Sequence, residues 1–232
     1  MTMKPYIFLS QNYLNFTQDA TANPVDIRTI SATTPYTVTV YFVDRYGNPV
    51  NRTIDTLILQ DTNIVNMTVE AANAGGAYST LLTLADNTQS TVLLKAQTPA
   101  LTSSIRVTVP EGTNPADISG KIGIYGFICN LCALTDSNYK IDANEGSFRV
   151  LNGDYIHWAD YKKWVGKIKM ENLPQAQFDL LTEQADLGEM TVVPYQDLEA
   201  DGIYECAVSR EYSWELDRKT HLFKLDLEFN EL

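Results

Sequence analysis

Basic residues are scarce in this sequence. The 232-residue chain has 17 lysines and arginines against 29 aspartates and glutamates, a formal net charge of −12. Nucleic-acid binding rests on clustered cations that neutralise phosphates. The acidic balance therefore argues against nucleic acid, with no direct sequence-specific binding expected, and against an anionic membrane surface. Long apolar runs are missing too. No stretch reaches the ~18 residues of a membrane span. The opening MTMKPYIFLSQNYLNF lacks the apolar h-region of a secretory signal. These absences predict no membrane insertion, and a protein made in a cytoplasm and kept there until assembly or lysis.

Cysteine and histidine are equally sparse, with three and two residues. An odd cysteine count does not suit a disulfide scaffold. Cys129 and Cys132 form a CxxC, a spacing used by redox pairs and by half zinc sites. Zinc needs four ligands, and the other candidates, Cys206, His157 and His221, show no second CxxC and no paired-histidine spacing. A thioredoxin-like pair needs a helix after it, whereas 133–138 (ALTDSN) reads as a loop. The cysteines are therefore read as structural, with no metal and no cofactor. GxSxG, HExxH, P-loop and dinucleotide-binding motifs are absent, so no catalytic residue is assigned and no enzyme is predicted. Asp197, Glu199 and Asp201 begin like a calcium loop, but Glu205 comes too early to close one. They read as a solvated acidic turn. The Asn-x-Thr triplets at Asn15, Asn51 and Asn66 are what chance supplies in a chain rich in both residues.

What the chain has in quantity is strand text. Residues 1–30 carry Tyr6, Phe8, Tyr13 and Phe16 without a helix signal, and read as an N-terminal arm. In 36–42, Tyr36, Val38, Val40 and Phe42 alternate with Thr37, Thr39 and Tyr41, a period of two. Further short strands are expected at 56–59, 65–70, 78–84, 91–95, 105–109 and 121–128. Turn signals such as Asn73-Ala74-Gly75-Gly76 and Asp86-Asn87 separate them. Short strands with regular turns predict a β-sandwich over 31–128. Residues 129–146 turn polar and read as a connector.

The second domain, 147–232, is predicted to hold strands at 148–151, 156–158, 163–171 and 189–195, and one helix at 174–187. Pro174 suits the first turn, Phe178, Leu181 and Ala185 make an apolar stripe, and Gly188 sits at the C′ position. The chain closes on a predicted hairpin, 204–216 against a final strand. Phe223, Leu225, Leu227 and Phe229 there alternate with Lys224, Asp226, Glu228 and Asn230, with a turn over 216–220. The four apolar residues are expected to face inward, onto the helix stripe. Trp158, Tyr161 and Trp164 are three apart, so a straight strand does not put them on one face. A tight bend would be needed to gather them into an aromatic sugar platform, so they read as core or subunit contacts.

Two resemblances follow from these residues. Asp61-Thr62-Asn63-Ile64 and the strand triplet Ile105-Arg106-Val107 resemble the discoidin-like, galactose-binding-like jelly roll, with Val107 a mild departure. Many such domains bind glycans through their loops, and many are structural. Trp158 to Trp164 (WADYKKW), then Leu173-Pro174-Gln175-Ala176-Gln177-Phe178, Val193-Pro194-Tyr195 and Ile203-Tyr204-Glu205-Cys206 resemble the tail-tube-like fold of phage tube, distal-tail and hub proteins. This second resemblance implies a virion structural protein of a tail or baseplate, forming a homo-oligomeric ring and docking other tail proteins. Its oligomer and packing candidates are Trp158, Tyr161, Trp164, Phe223, Leu225, Leu227 and Phe229. The acidic charge would suit a tube lumen that lets DNA pass. The alternative is a carbohydrate-binding module that recognises a cell-surface glycan through the jelly roll.

Overall fold

The computed structural model describes residues 6–131, 138–149, 155–193 and 203–232, with 129–131, 138–149, 155–162 and 164 described by backbone. Among these residues the chain is mainly β, in antiparallel sheets with a single α-helix, as the patterning predicts. The strands are β1 (Tyr6–Leu9), β2 (Thr17–Gln18), β3 (Thr29–Thr33), β4 (Tyr36–Phe42), β5 (Arg52–Gln60), β6 (Met67–Ala72), β7 (Tyr78–Leu84), β8 (Val92–Thr102) and β9 (Ser104–Val109). They continue as β10 (Asp117–Tyr125), β11 (Phe127–Leu131), β12 (Asn138–Arg149), β13 (Tyr155–Leu173), β14 (Glu189–Val193), β15 (Tyr204–Val208), β16 (Ser213–Asp217) and β17 (Leu222–Glu231). The helix α1 (Gln175–Leu187) precedes β14. The described residues fall into two compact units. One is Leu9–Phe127; the other is discontinuous and joins residues 6–8 to the described residues after 127.

The Leu9–Phe127 unit is a β-sandwich. One sheet has the order β3-β10-β5-β8 and the other β2-β4-β9-β6-β7. Alternation builds its core. Val40 and Phe42 of β4, Val69 of β6, and Ile105 and Val107 of β9 are buried in one cluster with Leu57 and Leu59 of β5 and Ile122 and Ile124 of β10. The strand β8 runs past Lys95, where sequence signals stop. It lies at a sheet edge, and its register against β5 jumps between Ile54 and Thr56, from Ala100 to Lys95. Pro99, which has no N–H for the ladder, falls in the skipped stretch, where a proline is tolerated.

The turn Asp61-Thr62-Asn63-Ile64 acts as a loop lock. The Asn63 side chain donates to the Asp117 carbonyl (3.0 Å) and accepts from the Ser119 N–H (2.8 Å), while Ile64 is fully buried. Asp61 takes a positive φ of 51° at the bend, a region that aspartate tolerates better than most residues. Asn114 closes the same end of the sandwich. Its oxygen accepts from Val65 and Asn66 N–H, and its amide donates to the Asn66 and Pro110 carbonyls.

The second unit is one sheet in the order β11-β1-β14-β15-β17-β13-β12, with β16 also on β17. The strand β17 is its hub. One edge pairs with β13, Met170 opposite Leu225 and Ile168 opposite Leu227. The other edge pairs with β16 along its first half and β15 along its last residues. Phe223, Leu225, Leu227 and Phe229 are buried while Lys224 and Glu228 between them are exposed. Those four share a core with Met190, Val192 and Cys206, and with Leu181 and Ala185 of the helix. The helix starts after Pro174 and stops at Gly188. This glycine takes φ 88°, a left-handed conformation that a Cβ would strain, and its N–H donates to the Ala185 carbonyl (2.9 Å).

The structure departs from several sequence expectations. The N-terminal arm expected over 1–30 divides, with Leu14, Ile27 and Ile30 in the core of the sandwich and residues 6–8 in the other unit. Tyr6–Leu9 forms β1, hydrogen-bonded between β11 and β14. Residues 129–131 and 138–146 are not a connector but parts of β11 and β12. A strand is held by its backbone ladder, so a polar composition does not by itself rule one out. The pieces at 156–158 and 163–171 are one 19-residue strand. The stretch 204–216 is two strands, β15 and β16, that pair with different halves of β17. The turn expected at 152–154 and the end of the strand expected at 189–195 lie outside the described residues.

Candidate assembly and binding surfaces

The long strand β13 and its partner β12 make the most distinctive element of the second unit. They pair antiparallel from Asn138 opposite Lys167 to Arg149 opposite Tyr155, with one register shift at Asn144/Glu145. The other edge of β13 is bonded to β17 only from Val165 onward. Over residues 155–164, β13 therefore has a partner on one side alone among the described residues, a two-stranded ribbon running on beyond the sheet. Trp158, Tyr161 and Trp164 stand on this ribbon by register, opposite Gly146, Asn144 and Ile141. The seven candidates thus divide between two places, three on the ribbon and four, Phe223, Leu225, Leu227 and Phe229, in the core.

On the outward face of β13, β17 and β16, charges of both signs alternate. Lys167 Nζ lies 3.5 Å from Asp226 and 3.6 Å from Glu228, and Lys224 Nζ lies 3.2 Å from Glu171. The Glu171 carboxylate beside Lys224 pushes its pKa up. A groove of about 400 Å³ runs across this face, lined by Lys169, Glu171, Ser213, Glu215, Lys224 and Asp226. Its lysines and carboxylates stand among one another, and exposed pairs of this kind are worth little. We assign the groove no ligand.

The edge strand β16 is exposed at every position. Trp214 keeps 57% of its surface accessible although Phe178 stands edge-on at 5.7 Å and Phe223 lies at 6.1 Å. Phe178 itself stacks on Phe223 at 4.2 Å, which closes the core beneath the helix.

The sandwich carries a second polar-aromatic surface, on the outer face of its five-stranded sheet. Register puts Tyr41 opposite Ser104, Arg106 opposite Glu70, and Tyr78 opposite Ala72. Arg106 Nε donates to Glu70 at 2.6 Å, and the guanidinium carbon lies 4.7 Å from the Tyr78 ring centroid. Tyr78 and Ser104 share a hydrogen bond of 2.9 Å. Arg106 holds the Glu70 carboxyl below its ordinary range, and the neighbouring Tyr78 holds the Tyr41 phenol above its own. Sequence reasoning missed this cluster, which depends on the register of four strands. Only the alternation in Ile105-Arg106-Val107, with both flanking residues buried and Arg106 outward, signals it.

The remaining sequence candidates carry little. Cys206 is fully buried, and burial pushes its thiol far above the usual range, with Glu231 and Glu205 adding to the shift. The Cys129 side chain, Cys132 and the acidic turn at 197–201 lie outside the described residues. His221 is an exposed turn residue with φ 56°, and its N–H donates to the Asp217 carbonyl (2.8 Å). Among the described residues no group of three or more histidine, cysteine or acidic side chains is placed to hold a metal.

No protein-family model matches this chain, and no curated protein matches it. Among solved structures it is similar to the family 32 carbohydrate-binding module of Streptococcus pneumoniae EndoD, at 14% identity over 42% of this chain and 74% of that one, with a TM-score of 0.35. It is also similar to the family 32 module of C. perfringens NanJ, solved in complex with galactose, at 12% identity over 51% of this chain and 99% of that one, with a TM-score of 0.37. A superposition this loose assigns neither a ligand nor a site to the present chain.

Proposed function

We propose that this chain is a structural subunit that assembles into a homo-oligomeric ring, of the kind that builds a phage tail or baseplate, and that it acts in the virion by docking partners and not by catalysis. The observation that carries the reading is the ribbon over residues 155–164. A two-stranded ribbon is marginally stable by itself in water. An open strand edge is a template for another chain. A ring satisfies both conditions, because each copy's edge is covered by the next. The ribbon is also rich in tyrosine and tryptophan, residues favoured at protein contacts. The tail assignment itself rests on the resemblance of elements given above. Negative-stain images of the purified chain test the reading. Closed rings of uniform diameter support it, and single particles of monomer size refute it.

A second reading is favoured by the Tyr41, Tyr78, Ser104, Arg106 and Glu70 face. Aromatic rings beside a planar guanidinium and a carboxylate offer stacking and directional hydrogen bonds on one surface. This suits a neutral sugar ring, and it would make the sandwich a glycan-binding module. The family 32 structures noted above include one in complex with galactose. A glycan array probed with wild type and Arg106→Ala tests this reading. Binding that Arg106→Ala removes supports it, and an array blank at high protein concentration counts against it.

A further inference from the structure

We propose that the outer face of the five-stranded sheet is built for an extended chain of neutral sugars, lying along β6 and β9, and not for a single ring. The inference rests on the glycan reading of this face and gives that ligand its length, direction and charge. Register orders the face into three rows across β4, β9, β6 and β7. The first is aromatic: Tyr41, opposite Ser104, and Tyr78, opposite Ala72, meet in a hydrogen bond between their phenols. The second holds Arg106 opposite Glu70. The third is made of one residue type. Thr37 stands opposite Thr108, Thr108 opposite Thr68, and Thr68 opposite Thr83.

Hydroxyls, charge and spacing select the occupant. Elsewhere in the sandwich Thr17, Thr34 and Thr62 donate their hydroxyls to carbonyls of the chain. Those of Thr37, Thr68, Thr83 and Thr108 bond to nothing within the chain among the described residues. Each keeps its donor and its acceptor lone pairs for a partner. The chain carries −12 overall, yet the only charges in the three rows are Arg106 and Glu70, bonded to one another at 2.6 Å. A face without net charge in a strongly acidic protein takes a neutral partner, while the rest of the chain repels a polyanion. Rows on one face recur every second residue, about 6.8 Å along an antiparallel strand, so the aromatic and threonine rows stand about 14 Å apart. One sugar ring covers a single row. A chain of several rings running along the strands meets tyrosine, then the guanidinium–carboxylate pair, then the threonine hydroxyls.

Calorimetric titration of the full chain with β-1,4-linked glucose, mannose and galactose oligomers, from the single sugar upward, tests this site. The expected result, for at least one of these sugars, is an affinity that climbs to about three units and then levels, as the length of the face requires. Oligogalacturonate, an acidic counterpart, should not bind. Thr68→Val with Thr108→Val removes two hydroxyls and keeps a β-branched shape suited to a strand. This pair should weaken the longer oligomers by on the order of tenfold. It should leave the shortest oligomer that binds, and the melting temperature, unchanged, whereas Arg106→Ala should lose every length. Equal affinity for short and long oligomers, or a valine pair that binds the long ones like wild type, overturns the extended site and leaves a single-ring glycan site standing. Preference for oligogalacturonate overturns its neutral character. Failure of all three series overturns the proposal, and only a blank glycan array removes the glycan reading as well. A valine pair that changes the sedimentation coefficient while no sugar binds makes the face a contact between copies, and the proposal falls.

Discussion

At the residue scale, burial and exposure make opposite predictions for neighbours on the same strand. Leu227 is fully buried between Ile168 and the rest of the core. Truncating such a leucine loses both its transfer energy and the packing around the hole, about 2–5 kcal/mol in typical cores. Leu227→Ala should lower the stability of the second unit by that order in urea unfolding, while Lys224→Ala on the exposed face should leave the midpoint unchanged. The reverse result would mean the register is inverted. The Cys206 thiol should resist alkylation at mildly alkaline pH in a Cys129→Ser, Cys132→Ser background and react once the chain is unfolded, because burial keeps it protonated. Rapid labelling of native protein would contradict its place in the core. In the sandwich, Arg106 lowers the Glu70 pKa in the folded state. The stabilising contribution of this pair is present above the unfolded carboxylate value and is lost as pH falls through the lower folded value. Glu70→Gln should therefore flatten the acid limb of the melting profile. These residue roles were legible to differing degrees. The alternation of 223–229 reads directly from sequence, whereas the Tyr41–Tyr78–Arg106 cluster requires the alignment of four strands that no local pattern encodes.

At the scale of elements, the sequence revealed strands and the one helix but not which of them belong together. Gly188 and the Phe178, Leu181 and Ala185 stripe mark the helix because capping and periodicity are local. The place of β1 is non-local. Tyr6–Leu9 pairs with β11, more than a hundred positions later, and nothing in four apolar residues names such a partner. The polar text of β12 hid a strand for a related reason, since composition reports burial of side chains and not pairing of backbone. One consequence is testable. The two ends of the sandwich meet within it, where the Ser10 N–H donates to the Gly126 carbonyl and the Gly126 N–H donates to Ser10 Oγ, both at 2.9 Å. With its own core and closed ends, the isolated segment 9–127 should fold, giving dispersed amide resonances and a cooperative melt. A collapsed, undispersed spectrum would show that the sandwich depends on the second unit.

At the scale of the whole molecule, the Leu9–Phe127 sandwich lies in chain order between β1 and β11, two strands that pair in the sheet of the other unit. The account stands or falls on whether the sheet unit closes on copies of itself. Native mass spectrometry of the intact chain, sprayed at micromolar concentration, measures this most directly. The account predicts one discrete stoichiometry above the dimer, a closed set of head-to-tail copies of the 26.0 kDa chain. A spectrum holding only the 26.0 kDa monomer across the accessible concentrations would contradict it.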